Sequence, residues 1–243
     1  MIPKVIHYCW FGRNPLPESA IKCIESWKKY CPDYAIIEHN EDNYAITKYE
    51  YAKEAYEAKK WAFVSDVARL DILYNHGGIY LDTDVEIIKP IDDLLNSSGF
   101  MGFEDKKQVA SGLGMGAIKN SPIIKLMLSS YEGCHFKIGE DEYDLTPCPI
   151  RNTRDLIKIG LVPDGTYQEI QNFKFFTRDV LAPKEATSGR LRFLTKNTRT
   201  IHHYDASWQT PMFHKQKRIN YILGGRIGSK VIKILIKLGL MEA

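Results

Sequence analysis

At 243 residues, with 44% hydrophobic and 26% charged side chains, the chain can bury a full core as one domain. Its 33 Lys and Arg against 30 Asp and Glu give a formal net charge of +3, which excludes a general field for nucleic acid, so no nucleic-acid partner is expected. The five cysteines (Cys9, Cys23, Cys31, Cys134, Cys148) form an odd set without a C-x-x-C pair, which excludes metal-finger spacing and reads as reduced thiols of a cytosolic protein.

Residues Met1 to Trp10 lack the apolar run and small-residue cleavage site of a signal peptide, and Lys4 to Trp10 suits a first strand. Gly12 to Pro17 is a loop, and a helix then runs from Pro17 with Ile21, Ile24 and Trp27 at three-residue spacing until Cys31-Pro32-Asp33 stops it. Tyr34 to Glu38 reads as a second strand. Tyr49 to Lys60 and Ala62 to Asn75 are helical by period, and His76-Gly77-Gly78 ends the second of them. A short strand, Ile79 to Leu81, runs directly into Asp82-Thr83-Asp84-Val85-Glu86-Ile87, with Pro90 closing the unit. Two carboxylates therefore sit at a strand end, where α/β sheets place ligands. Beyond it, Gly99 to Glu104 is another strand, Ser111 to Gly116 a glycine-rich loop, Pro122 to Tyr131 a helix, and Glu140 to Pro149 an acidic, proline-broken loop. There is no internal repeat, and no run of apolar residues long enough to span a bilayer.

The strongest constellation is Ser65-Asp66-Val67-Ala68-Arg69 followed by Leu73-Tyr74-Asn75-His76-Gly77-Gly78-Ile79-Tyr80-Leu81-Asp82-Thr83-Asp84. A hard divalent cation held by one or two carboxylates can take diphosphate oxygens as further ligands, so Asp82 and Asp84 suit a nucleotide diphosphate. The same cation stabilises that diphosphate as a leaving group. Asp66 and Arg69 lie three apart on one helix face, which lets Asp66 accept from sugar hydroxyls while Arg69 meets the diphosphate or braces Asp84. Alone, a D-x-D is usually a solvated loop and an Asp/Arg pair a surface ion pair. Their joint order, helix, glycine pair, aromatic strand and D-x-D, is what carries information.

This order, S-D-x-x-R then L-Y-x-x-G-G-x-Y-x-D-x-D, resembles glycosyltransferase family 32, which includes Och1-like mannosyltransferases and bacterial capsule transferases, and it is similar to the catalytic domain of the large clostridial glucosylating toxins. The resemblance implies an α/β GT-A fold with a Rossmann-like nucleotide-binding half. It also implies a retaining hexosyltransferase using Mn²⁺, or Mg²⁺, and a nucleotide-sugar donor. UDP-galactose or UDP-glucose are the first expectations and GDP-mannose the next, in capsular, exopolysaccharide or lipopolysaccharide synthesis. Ile6 to Gly12 matches the family's opening strand, which maps the base-stacking aromatic onto Trp10; the alternative is that Trp10 is core. Ile201-His202-His203-Tyr204-Asp205-Ala206-Ser207-Trp208 resembles a late segment that completes the metal shell, leaving His202, His203 and Ser207 as rivals and Trp208 as a cover over the donor. Neighbours on a strand face opposite sides, so at most one histidine points at the metal. The expected catalytic set is thus Asp66, Arg69 and Asp84; the donor-binding set is Trp10, Asp66, Arg69, Tyr80, Asp82, Ser207 and Trp208, and the metal set Asp82 and Asp84 with His202, His203 or Ser207. Ser111 to Ala117 resembles a segment near the donor sugar, and Glu104, Asp105, Asp144 and Asn152 are candidates near a saccharide or lipid-linked saccharide acceptor.

The segment from His214 to Leu240 differs in character: Lys215, Lys217, Arg218, Arg226, Lys230, Lys233 and Lys237 interleave with Ile and Leu residues, and no acidic residue follows until Glu242. The chain therefore divides into a catalytic domain over 1–213 and a basic amphipathic helical tail over 214–243, which either packs on the domain or lies on an anionic membrane surface. The expected location is the cytoplasm, with a peripheral position on the inner face of the cytoplasmic membrane as the second option. Two rival functions remain. Leu81-Asp82-Thr83-Asp84-Val85 also fits a haloacid-dehalogenase-type phosphatase with Asp82 as nucleophile, although that motif normally ends the first strand and here about eighty residues precede it. The other rival is a glycan-binding module without turnover.

Overall fold

The computed structural model of the chain describes residues 1–186, 188–205, 211–223 and 225–238. In chain order the regular elements are β1 (Val5–Cys9), α1 (Glu18–Tyr30), β2 (Ala35–His39), α2 (Glu50–Glu57), α3 (Trp61–His76), β3 (Gly78–Tyr80), β4 (Val85–Ile87), β5 (Gly99–Phe103), β6 (Val109–Ala110), β7 (Met115–Ala117), α4 (Pro122–Ser129), α5 (Cys148–Ile157), β8 (Gln168–Ile170), β9 (Phe173–Phe176), α6 (Arg178–Leu181), β10 (Thr200–His202), α7 (Pro211–Leu223) and α8 (Gly225–Lys237). The main sheet runs β2-β1-β3-β7-β5-β9-β8, with β6 paired to β5. Strands β2, β1 and β3 are parallel, whereas β7 is antiparallel to both β3 and β5, and β5 pairs parallel with β9. The result is the expected mixed α/β sheet, parallel in its N-terminal half.

Alternation along the strands sends side chains to two apolar layers. Ile6, Tyr8, Ile79 and Phe100 meet α1 through Ile24 and Trp27, while Tyr80, Met101, Phe103, Phe173 and Phe175 meet α2, α3 and α4. Helix α3 has buried residues on almost every side, from Phe63 to Leu73, because it lies between the sheet and the other helices. Its end is set by Gly77, at φ +69°, whose amide closes on Leu73; a Cβ there would lie 2.7 Å from the Lys119 backbone nitrogen. Gly78 follows at φ +101°, pressed against the Val5 carbonyl, so the turn drives the chain straight into β3.

The region read as a glycine-rich loop contains a strand. Ser111–Leu113 makes a single 3-10 turn and Met115–Ala117 then enters the sheet as β7. Phe100 fills the space beside Gly116, where a Cβ would come within 2.3 Å of its ring. Likewise α5 begins inside the acidic, proline-broken stretch, at Cys148.

A buried histidine pair ties β1 to β2. The His39 Nε2 and His7 Nδ1 are 3.0 Å apart, and His7 Nε2 lies 3.1 Å from the Gly77 carbonyl, so with that ring N–H donating to Gly77, His7 Nδ1 is left to accept from His39. Burial, then the neighbouring imidazoles, lowers both to about 4. The unfolded chain protonates first, near pH 6.5, so folding stability contributed by the neutral pair is present above that value and lost as pH falls towards 4. Each ring accounts for up to about 3 kcal/mol. Urea unfolding midpoints should therefore fall between pH 6.5 and 4, and the fall should flatten in His39→Gln, which keeps the donor to His7. An unchanged slope in that variant would rule out this source of acid lability.

Candidate active site

The two carboxylates of the D-x-D sit on a tight turn between β3 and β4. Leu81 still bonds its amide to the His7 carbonyl, and Val85 turns back to the Asp82 carbonyl. The exit of the turn is pinned by Trp27, fully buried on α1, whose indole donates to the Val85 carbonyl at 2.6 Å. Strand β10 then pairs antiparallel with β4, placing His202 opposite Val85, while the His203 amide bonds the Asp84 carbonyl.

That pairing places the two histidines differently. His202 Nε2 is 3.0 Å from Asp84 Oδ1, and one donor atom from each of Asp82, Asp84 and His202 lies within 4.8 Å of the others. His203 is turned away: its Nε2 lies 2.9 Å from Glu86 and its Nδ1 3.2 Å from the Lys184 ammonium. Of the two rivals, then, His202 faces the acids and His203 faces away from them, because neighbouring residues along a strand send their side chains to opposite faces. Ser207 and Trp208 lie outside the described residues.

Arg69 is the hub beneath the turn. Its guanidinium lies 2.9 Å from Asp66 and 3.2 Å from Asp82, its Nε donates to the Ser65 carbonyl, and its other nitrogen reaches Ser111 Oγ at 3.3 Å. The cation also stacks 4.9 Å over the Tyr80 ring, and the Tyr80 hydroxyl donates to Asp82 at 3.0 Å. Arg69 thus braces Asp82 and not Asp84. Asp66, 8% exposed, pairs with Arg69 at the edge of this network, next to Ser65 and Arg69, which line the cleft.

The electrostatics separate the two acids. Burial would push Asp84 up, but the charge and hydrogen bond of His202, with the Asp205 amide at 2.8 Å, hold it at about 2. Burial pushes Asp82 above the usual carboxylate range against the pull of Arg69, and the nearby Asp84 charge adds to the rise. His202 is held up by Asp84 against its own burial.

Above this floor lies a cleft of about 820 Å³. Trp10, half-buried, lines it with its indole tied to the Asn14 carbonyl at 2.6 Å, so it is not the sealed core residue that the alternative required. Trp61 lines it as well, with Tyr56 against its far side at 4.9 Å and Gly12 close to its ring. Nothing in the residue pattern singled out Trp61, although it opens the helix that carries Asp66 and Arg69. Glu104, Ala186, Tyr204 and Asp205 line it too, with Tyr204 against the His202 ring and the Asp205 amide on Asp84.

Of the acceptor candidates only Glu104 reaches the cleft. Asp105 caps its own turn by accepting from the amides of Lys107 and Gln108. Asp144 is paired with Arg151. Asn152, 1% exposed, donates to Ser111 Oγ at 3.0 Å and so supports the Arg69 network from behind.

The residues fit a divalent cation. The donor set is two carboxylates and an imidazole, which suits Mn²⁺ better than Mg²⁺, and the His202 Nδ1 is buried without a hydrogen-bond partner. Gly112 forms a cradle for Asp82, since a Cβ there would lie 2.2 Å from its Oδ2. Gly112→Ala should therefore displace Asp82 from Arg69 and weaken Mn²⁺ binding about tenfold or more, with some loss of thermal stability, as read by calorimetric titration and melting; unchanged affinity would exclude Asp82 from the site.

Comparison with known proteins converges on this region. Residues 17–101 match the family described as glycosyltransferase sugar-binding region containing DXD motif. Inositol phosphoceramide mannosyltransferases 3 and 1 of Schizosaccharomyces pombe are 29% and 31% identical, over 51% and 41% of this chain and 35% and 33% of their own lengths. An uncharacterized glycosyltransferase of Acanthamoeba polyphaga mimivirus is 32% identical over 50% of this chain and 51% of its own. The chain thus spans about half or less of the length of these curated relatives. Among solved structures, PaToxG glycosyltransferase superposes with a TM-score of 0.50 at 23% identity, covering 65% of this chain and 68% of that one, which shows a common fold. The phosphatase alternative loses its ground here, because its motif falls inside the matched sugar-binding region and follows the third strand. Residues 17–101 of this chain are thus similar to a glycosyltransferase sugar-binding region containing the DXD motif, and they are carried on a mixed α/β fold shared with a solved glycosyltransferase.

Proposed function

We propose that this chain transfers a hexosyl group from a nucleotide diphosphate sugar to a hydroxyl of a saccharide or lipid-linked saccharide acceptor, with retention at the anomeric carbon. The observation that carries the proposal is the convergence of Asp82, Asp84 and His202 within 4.8 Å on the floor of a cleft walled by Trp10 and Trp61. Those three residues would hold Mn²⁺ or Mg²⁺, which supplies charge neutralisation for the departing diphosphate.

The chain's own groups do the rest. Trp10 and Trp61 offer flat apolar faces, on one of which a nucleotide base stacks. Arg69 and Tyr80 fix Asp82 in one rotamer, so the acid is preorganised before the donor arrives. Glu104, which lines the same cleft, would accept from sugar hydroxyls. No side chain of the cleft is assigned as a covalent nucleophile.

The donor is a hexose nucleotide. The resemblance favours UDP-galactose or UDP-glucose, while the fungal relatives are named mannosyltransferases, which puts GDP-mannose beside them. The compared relatives are fungal and viral, so the setting in surface-polysaccharide synthesis rests on the sequence resemblance alone. The deciding experiment is a panel of these three donors with Mn²⁺, read by nucleotide release and by thermal shift. One donor should be hydrolysed slowly without acceptor and only with the metal. Sugar binding with no release from any donor would favour a glycan-binding module instead.

A further inference from the structure

The seven basic residues between positions 206 and 241 occur with no acidic residue among them; removing those seven from the chain's 33 leaves 26 Lys and Arg against 30 Asp and Glu. The charge of the molecule is therefore polarised, with a positive tail on a net acidic body. Helices α7 and α8 form a hairpin that packs tightly at Gly228, where a Cβ would lie 2.6 Å from the Asn220 Cα. Gly228 and Ile232 are buried on the inner face of α8, with Leu235 and Ile236 partly covered.

The outer face is different. Ile227, Ile234 and Leu238, at spacings of seven and eleven residues that return to the same side of a helix, are 61%, 56% and 64% exposed. Lys230, Lys233 and Lys237 are exposed along one edge of that stripe. On α7, Ile222 is 62% exposed, with Lys215 and Arg218 also in solvent. An apolar stripe flanked by cations alone is the pattern of a helix lying in the boundary between headgroups and acyl chains.

We propose that the α7–α8 hairpin docks on an anionic lipid bilayer, seating Ile227, Ile234 and Leu238 at the acyl boundary and Lys230, Lys233 and Lys237 against lipid phosphates. Charge complementarity selects this occupant. A second copy of the hairpin would set lysine against lysine, with no acid on either helix to neutralise them. A nucleic acid would use the cations but leave the aliphatic stripe in water.

The docking has a consequence for the cleft. Arg190 donates to the carbonyl of Tyr221 at the end of α7, Gly189 lies against the Tyr221 ring, and Ala186 of the same loop lines the cleft. A surface that receives the hairpin is thereby brought to the cleft's rim, where an acceptor carried by lipid would be presented. The docking itself does not rest on the proposed transfer reaction.

The test is flotation of the full chain with vesicles of phosphatidylcholine alone or with about one third phosphatidylglycerol, at low and at high salt. The chain should float with the anionic vesicles only, less so at high salt. The triple substitution Lys230→Glu, Lys233→Glu and Lys237→Glu should lower partitioning on the order of a hundredfold or more, and Ile234→Asn should release the chain as well. All four positions are exposed, so thermal melts of these variants should match the wild type. Absence of flotation with anionic vesicles at low salt, equal flotation with neutral ones, or wild-type partitioning by the triple variant would overturn the proposal. So would a dimer, abolished by Ile234→Asn, in a chain that ignores vesicles.

Discussion

Asp84→Asn should lower metal-dependent nucleotide release on the order of a hundredfold to a thousandfold, the scale of removing one preorganised electrostatic group from a reacting centre. The substitution keeps the shape of the side chain and removes its charge. The carboxamide oxygen of the variant would still accept from the Asp205 amide, which holds the segment after β10, so the fold should persist, with the melt lowered by loss of the charge paired to His202. What disappears is the anion that holds the imidazole of His202 and that a divalent cation requires. Turnover within a few fold of the wild type, at equal metal concentration, would mean that Asp84 orders the β4–β10 pair and does not serve the reaction.

Arg69→Met should cost about 3–5 kcal/mol of stability and abolish turnover. Arg69 is 4% exposed and stands between two carboxylates; without it the buried Asp66 loses its cation, and the half-buried Asp82 keeps only the Tyr80 hydroxyl. The deficit should depend on pH in a defined direction. In the variant both acids titrate higher in the folded state than when unfolded, so the loss is full at neutral pH and shrinks on acidification as they take up protons. Arg69→Lys should not rescue, since one ammonium cannot bond Asp66, Asp82, Ser111 and the Ser65 carbonyl together. Melts of the variant at neutral and mildly acidic pH read the effect, and equal destabilisation at both would contradict the charge assignment.

What was legible in the sequence was local. Asp66, Arg69, the Gly77-Gly78 turn and the D-x-D lie within twenty residues, where helix period and a glycine stop fix the geometry directly. The partner of Asp84 was not legible to the same degree, because His202 is brought in by pairing of β10 with β4 across more than a hundred residues. Alternation did predict that one histidine of the two would face the acids, but only the register shows which. The middle of the chain was opaque for a physical reason: β7 is three residues long and includes a glycine at position 116, β8 is three residues and β9 four, so no period can develop. Asn152 and Asp144 looked like exposed polar groups of an acceptor site. They are committed to Ser111 and Arg151, which no spacing in the sequence announces.

The central claim is that Asp82, Asp84 and His202 together hold the cation on which a nucleotide diphosphate is bound. Anomalous diffraction at the manganese edge, from crystals soaked with Mn²⁺ and a nucleoside diphosphate, addresses it without reference to turnover. A single peak touching both carboxylates and His202, with diphosphate density beside it and the base against Trp10 or Trp61, is the predicted result. A peak elsewhere, or a nucleotide bound while these three side chains keep only one another for partners, would contradict it.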